Sequence, residues 1–243
     1  MAFAATEWEF RSRFWTIWLS YWIGFLLYAV DHRPLAISVM LRFFPAANDA
    51  QQIHLVKCIF AVGTALVVVA AGIRSWAEAY LHSSIVHDAA LHGEQLVADG
   101  PYRYLRNPLY LGNMFLAVGV GFLATLPGFI VIALGNFLIV YRLILREELT
   151  LLASQGESYQ QYFAAVPRLI PSLTPRVPAS GARPNWFDGI TGELFMWAAA
   201  AAMAVYAATL QLKLFWGVFG AGIVVYFLQS YVRERRKKSA ARG

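Results

Sequence analysis

Six stretches of the chain are poor in charged side chains and approach the roughly 20 apolar residues that a membrane-spanning helix needs. They run from Phe14 to Val30, from about Ile53 to Ile73, from Pro108 to about Ala124, from Pro127 to about Leu145, from Ile190 to Leu210 and from Leu214 to Val232. Backbone amides in lipid must be bonded within their own segment, so these runs are predicted to be α-helices. The expected fold is an all-α integral membrane protein with about six transmembrane helices. The link Ala124-Thr125-Leu126-Pro127-Gly128 leaves room only for a tight helical hairpin. Gly112, Gly119 and Gly121 allow close packing of the third helix.

The polar stretches between these runs are unequal in charge. Of 20 Lys and Arg residues, 16 fall on the side that holds both termini in a six-span arrangement, including the Arg-Glu-Arg-Arg-Lys-Lys tail that starts at Arg233. The basic side is expected to face the cytosol, and the tail to act as a topology anchor. Residues 74–99 are more polar and hold His82, His87 and His92, a spacing that does not suit a metal site on one helical face. Five prolines between Pro167 and Pro184 exclude a regular helix and suggest a segment wrapped over the cytosolic face. Three parts are expected: N-terminal helices and an interfacial segment (1–94), a core with the helical hairpin (95–171), and a linker, C-terminal hairpin and basic tail (172–243).

Composition agrees with the pattern. The chain of 243 residues is 59% hydrophobic and 14% charged, against roughly a quarter charged in soluble domains. The net charge of +6 suits anionic lipid head groups, and no nucleic-acid motif accompanies it. Cys58, the single cysteine, cannot form an intrachain disulfide and reads as a small buried hydrophobe. Glu7 and Glu9 before the first apolar run, with no small-residue site after it, argue against a cleaved signal. Trp8, Trp15, Trp18 and Trp22 are expected as lipid-facing belt residues. The spans hold almost no charge, which argues against an ion pathway.

Chemistry is expected where two polar segments flank the hairpin on one side. The first contains Gln95, Leu96 and Val97, then Gly100-Pro101-Tyr102-Arg103-Tyr104-Leu105-Arg106-Asn107-Pro108-Leu109-Tyr110-Leu111-Gly112. Pro108 suits the first turn of a helix, whose free amides can hold a polar ligand group. The second contains Glu147, Glu148, Tyr159, Tyr162 and Arg168. The two glutamates are expected at the end of an apolar helix, where the dipole disfavours them. Arg142, Arg146, Arg106 or a cationic ligand would compensate.

These segments resemble the isoprenylcysteine carboxyl methyltransferase family. Its Gly-Pro-Tyr-Arg-x-x-Arg-His-Pro-x-Tyr-x-Gly motif is matched at Gly100, Pro101, Tyr102, Arg103, Arg106, Pro108, Tyr110 and Gly112. Its later elements are matched at Glu147, Glu148, Leu151, Gly156, Tyr159, Tyr162, Pro167, Arg168, Ile170 and Pro171. The family's His before the proline is Asn107 here, and a second family His is replaced by Glu94. A shorter form of the first motif also occurs in phospholipid N-methyltransferases and membrane sterol reductases.

The resemblance implies S-adenosylmethionine as methyl donor and a lipid-like or isoprenoid-bearing acceptor, carboxylate or amine, at the cytosolic leaflet. Glu147 or Glu148 would hold the donor's ammonium, and Arg106 or the amides near Asn107 its carboxylate. Tyr102, Tyr104 and Tyr110 would line the adenine or sulfonium. Arg106, Glu148, Tyr162 and Arg168 are the expected catalytic set, with Arg168 orienting a carboxylate acceptor, or Glu148 or Tyr162 deprotonating an ammonium. A metal is not implied. The alternatives are a nicotinamide-dependent reductase of the sterol type and a membrane transporter or scaffold. The pattern leaves the oligomeric state open.

Overall fold

The fold was obtained as a computed structural model, which describes residues 3–91 and 98–240, with backbone alone at 82–91, 158, 233–234 and 236–240. The helices are α1 (Glu7–Arg11), α2 (Arg13–Leu26), α3 (Leu35–Phe43), α4 (Asp49–Leu91), α5 (Pro108–Gly121), α6 (Leu126–Ala165), α7 (Trp186–Gly192), α8 (Leu194–Thr209) and α9 (Leu212–Ala240), with short 3₁₀ turns at Leu27–Ala29 and Gly100–Arg103. No β-strand occurs among the described residues.

Three helical stretches are long and apolar enough to cross a membrane: Asp49–Leu81, Leu126–Glu157 and Leu212–Val232. The pair α7–α8, bent by 62°, makes a fourth if it is one span. These correspond to the second, fourth, sixth and fifth apolar runs of the sequence. The first and third runs form α2 and α5, helices of 14 residues each. At 1.5 Å per residue each reaches roughly 21 Å, short of a hydrocarbon core of roughly 30 Å. The architecture is therefore all-helical with three to four helices of spanning length, a coarser result than the six expected.

Small residues let the helices close on one another. A Cβ at Gly119 would press into Val67 and the Gly63 carbonyl, and one at Gly24 into Ile132. Thus α5 packs on α4, and α2 on α6. The α5–α6 hairpin turns where expected. Thr125 caps α6 by accepting from Gly128 N at 3.2 Å, and Ala124 O accepts from Leu35 N at 2.7 Å, which fixes the start of α3. The core lies between α4, α5 and α8, around Val67, Ala202 and Met203.

Three expectations are corrected, one about a helix end and two about side chains. Helix α6 does not stop near Leu145 but runs on to Gly156, where φ of +57° breaks it before a final stretch to Ala165. Glu147 and Glu148 therefore sit within a helix. Cys58 is exposed, not buried, with its sulfur 3.6 Å from His54 Nε2. Trp18 is half-buried and meets the Phe195 ring edge-on at 5.8 Å, unlike the exposed Trp8, Trp15 and Trp22. The side chains of His82, His87 and His92 lie outside the described residues.

Candidate functional site

The basic end of the bundle gathers the motif segment, the acidic pair and the proline-rich connector. Gly100 opens the segment with φ of +57°, and a Cβ there would collide with the Tyr80 ring. Pro101 is buried in the 3₁₀ turn that follows. The chain then runs antiparallel to the connector in a series of backbone bonds: Arg106 N donates to Pro167 O at 2.8 Å, Ser172 N to Tyr104 O at 3.0 Å, and Arg176 N to Arg103 O at 2.8 Å. Residues 166–185 form no helix, as their prolines require. Arg103 donates its Nε–H to Val177 O at 2.9 Å and so pins the connector.

Asp99 anchors the far end of the connector. Its carboxylate accepts from Ser180 N, Ser180 Oγ and Ala182 N at 3.0, 2.6 and 2.8 Å. Burial pushes its pKa up, but these hydrogen bonds outweigh that and hold it below the usual carboxylate value. Sequence inspection passed over Asp99 as part of a polar loop. The Asp-Gly-Pro run was a signal for a turn, but the partner lies 81 residues away.

Glu148 is the centre of the arrangement. It is 3% exposed. Arg106 Nε lies 3.0 Å from Oε1, an ion pair without hydrogen-bond alignment, and Arg168 Nε donates to Oε2 at 2.8 Å. Asn107 Nδ2 donates to Oε1 at 3.1 Å and to Arg168 O at 3.2 Å. Both amide hydrogens of the residue that replaces the family histidine are thus engaged. Arg106 also stacks on the Phe163 ring at 3.9 Å and donates to Phe163 O. Arg168 donates through Nη1 to Tyr141 Oη at 3.0 Å. Burial lowers the Arg168 pKa, but the Glu148 carboxylate outweighs it and raises the net value.

The neighbouring Glu147 is different. It is half-buried, and its Oε2 accepts from Tyr110 Oη at 2.8 Å. Of the compensating cations expected, only Arg106 serves the pair. Arg142 is held by Glu9 in a two-point contact at 2.6 and 3.0 Å, and Arg146 by Ala5 O and Glu7. This fastens α1 onto α6 one turn before the acidic pair.

Tyr162 is buried and donates to Tyr102 O at 2.9 Å, which joins the end of α6 to the motif segment. Burial raises the pKa of both phenols, and that of Tyr159 to about 12. Tyr104 turns its ring toward Trp76 at 6.2 Å. Pro108 begins α5 behind Asn107. Gly112 gives the side chain of Arg74 room to cross. Gln95, Leu96 and Val97 lie outside the described residues.

A cleft of about 450 Å³ opens beside this cluster, lined by Arg106, Phe163, Val166, Arg168 and Arg176 among others. A larger hollow of about 740 Å³, lined by Phe43, Phe44, Gln51 and His54, lies by the α3–α4 turn, away from the motif residues. Arg74 on α4 and the buried Glu193 at the α7–α8 joint pair through two contacts at 2.8 and 2.7 Å, a partnership not anticipated from the apolar runs.

No curated protein and no solved structure matches the chain. A family model does: residues 58–160, less than half of the chain, match the phospholipid methyltransferase family. The matched stretch holds the motif from Gly100 to Gly112, the α5–α6 hairpin and the acidic pair, and ends just before Tyr162. Over this stretch the chain is similar to the phospholipid methyltransferase family.

Proposed function

We propose that the protein transfers a methyl group from S-adenosylmethionine to a lipid-like acceptor at the cytosolic leaflet. The observation that carries this reading is the meeting of the motif segment with the acidic pair through Tyr110–Glu147 and Asn107–Glu148. The donor's chemistry fits these residues. It brings two cationic centres and one carboxylate to a place that offers an accessible carboxylate, aromatic rings and a basic cleft.

The two glutamates take separate roles. Glu148 has both oxygens engaged by Arg106, Arg168 and Asn107, so it organises the site and does not hold a ligand ammonium. Glu147, with one contact from Tyr110, is the carboxylate for the cation. Arg106 and Arg168 face the cleft that would take an anionic group. Tyr102 and Tyr110 bound the site on the motif side. Gly100, Pro101, Pro108 and Gly112 shape its backbone, and Tyr104 supports it through Trp76.

When bound, S-adenosylmethionine supplies an electrophilic methyl on a sulfonium. The residues around it then have to align the acceptor and exclude water. Tyr162 does not serve as a base: its hydrogen is committed to Tyr102 O, and burial disfavours the phenolate. If the acceptor is an ammonium, Glu147 is the group with a spare oxygen to take its proton. Arg168 stabilises the connector through Glu148 and Tyr141, and orients an acceptor only through its position at the cleft.

The test uses purified protein in lipid nanodiscs with methyl-labelled S-adenosylmethionine and a total lipid extract, read by mass spectrometry. Label is expected in one lipid class, lost with Glu147→Gln. Label absent from every lipid would contradict the reading.

A further inference from the structure

We infer that Glu193, which lies beyond the family-matched stretch, is a positioning residue for the cofactor site: it holds the Arg74 guanidinium away from Glu147. This rests on the assignment of Glu147 as the cation-binding carboxylate. The C-terminal hairpin is then a working part of the site and not an appendage to it.

Arg74 stands on α4 directly after an apolar run, within a helix of spanning length. A cation there is costly unless it is paired. Its Nε donates to Glu193 Oε2 at 2.8 Å and its Nη2 to Oε1 at 2.7 Å. Nη1 donates to Leu109 O at 3.3 Å and to Asn113 Oδ1 at 3.2 Å. Four of the five N–H groups are placed, and the side chains of Arg74 and Glu193 are 20% and 7% exposed. The motif residue Gly112 makes this crossing possible, since a Cβ there would run into Arg74 Cγ.

Glu193 owes its position to the bend. It stands in the joint between α7 and α8, at the N-terminus of α8, where Met196 N donates to its carbonyl at 2.9 Å. The helix dipole favours a carboxylate there. Gly189, one turn earlier, lets α7 press onto α4: a Cβ would collide with Ser75 O and crowd Ala79. The fold thus delivers one acid from the hairpin to the one arginine of α4.

The other end of the contact reaches the candidate site. Leu109 and Asn113 lie in the first turns of α5, and Tyr110 between them donates to Glu147. Arg74 and Glu147 both act electrostatically on the Tyr110 hydroxyl. With Glu193 neutral, the guanidinium loses its carboxylate while Glu147 remains within electrostatic reach of the same phenol. An arginine drawn to Glu147 would compete with any cationic ligand.

The experiment is calorimetric binding of S-adenosylmethionine to the full chain in nanodiscs, with thermal unfolding of each variant. Glu193→Gln is expected to bind at least about tenfold more weakly, because a guanidinium without its carboxylate competes with the cationic ligand for Glu147. The double variant Arg74→Gln/Glu193→Gln, which strands no charge, is expected to recover affinity to within about threefold of the parent. A purely structural role predicts that affinity only follows the unfolding temperature of each variant, whereas here Glu193→Gln is expected to bind weakly at a temperature well below its own unfolding transition. Unchanged affinity in Glu193→Gln overturns the inference, and so does a double variant as weak as the single one. If the single variant does not fold, the double variant decides alone. An unmodified chain that binds no S-adenosylmethionine overturns the functional assignment itself, and this inference with it.

Discussion

Arg168 Nε donates to Glu148 Oε2 across 2.8 Å, and that contact ties the proline-rich connector to the helix bearing the acidic pair. Glu148 is 3% exposed and faces a second arginine, Arg106, at 3.0 Å. Removing one partner of a buried ion pair costs about 3–5 kcal/mol, because the other charge is left unpaired. Glu148→Ala should therefore lower the unfolding temperature and abolish activity together. Denaturation in detergent, followed by circular dichroism, checks the first part. A stable but inactive Glu148→Ala protein would instead make Glu148 a ligand-binding group.

Tyr162→Phe separates a structural phenol from a catalytic one. The hydroxyl gives one hydrogen bond to Tyr102 O, worth about 1 kcal/mol. Methyl-transfer rates are expected to fall by no more than about tenfold, with slightly lower stability. A loss of several orders of magnitude would restore Tyr162 as a base.

The connector should loosen in acid. The folded Asp99 pKa lies below its unfolded value, so its stabilisation is complete above the unfolded pKa, near 4, and is lost as pH falls through the folded value. Limited proteolysis between 170 and 185 should accelerate below about pH 4. Asp99→Asn should show fast cleavage already at neutral pH, with little further change in acid.

Gly112→Ala tests the crossing of Arg74 over α5. The added methyl would overlap Arg74 Cγ, and overpacking of this kind costs about 1–3 kcal/mol. Lower stability is expected, together with weaker cofactor binding, since Arg74 and Tyr110 share this part of α5. Unfolding curves and calorimetry on the same sample check both.

What could be read in the sequence was local. The α5–α6 hairpin announces itself in five residues that leave no room for a loop. Pro108 at the start of α5 and the Gly100-Pro101 turn follow from backbone rules. The proline-rich connector could not be a helix. Contacts made at long range left no pattern of this kind. Arg142 meets Glu9 across 133 positions, and Arg74 meets Glu193 across 119. A signal for the second pair did exist: one arginine and one glutamate beside or within otherwise apolar runs, each needing a counter-charge. The roles of the adjacent glutamates were not separable in sequence either. One residue of helix turns a side chain by about 100°, and that puts Glu148 among arginines and Glu147 against Tyr110.

The central claim is that Glu147, and not Glu148, is the carboxylate that receives the cationic donor. Calorimetric titration of S-adenosylmethionine into the parent protein and Glu147→Gln tests it most directly. Loss of one charge-assisted contact is expected to weaken binding about tenfold to a hundredfold while the unfolding temperature stays close to that of the parent. Equal affinity in the two proteins would contradict the account.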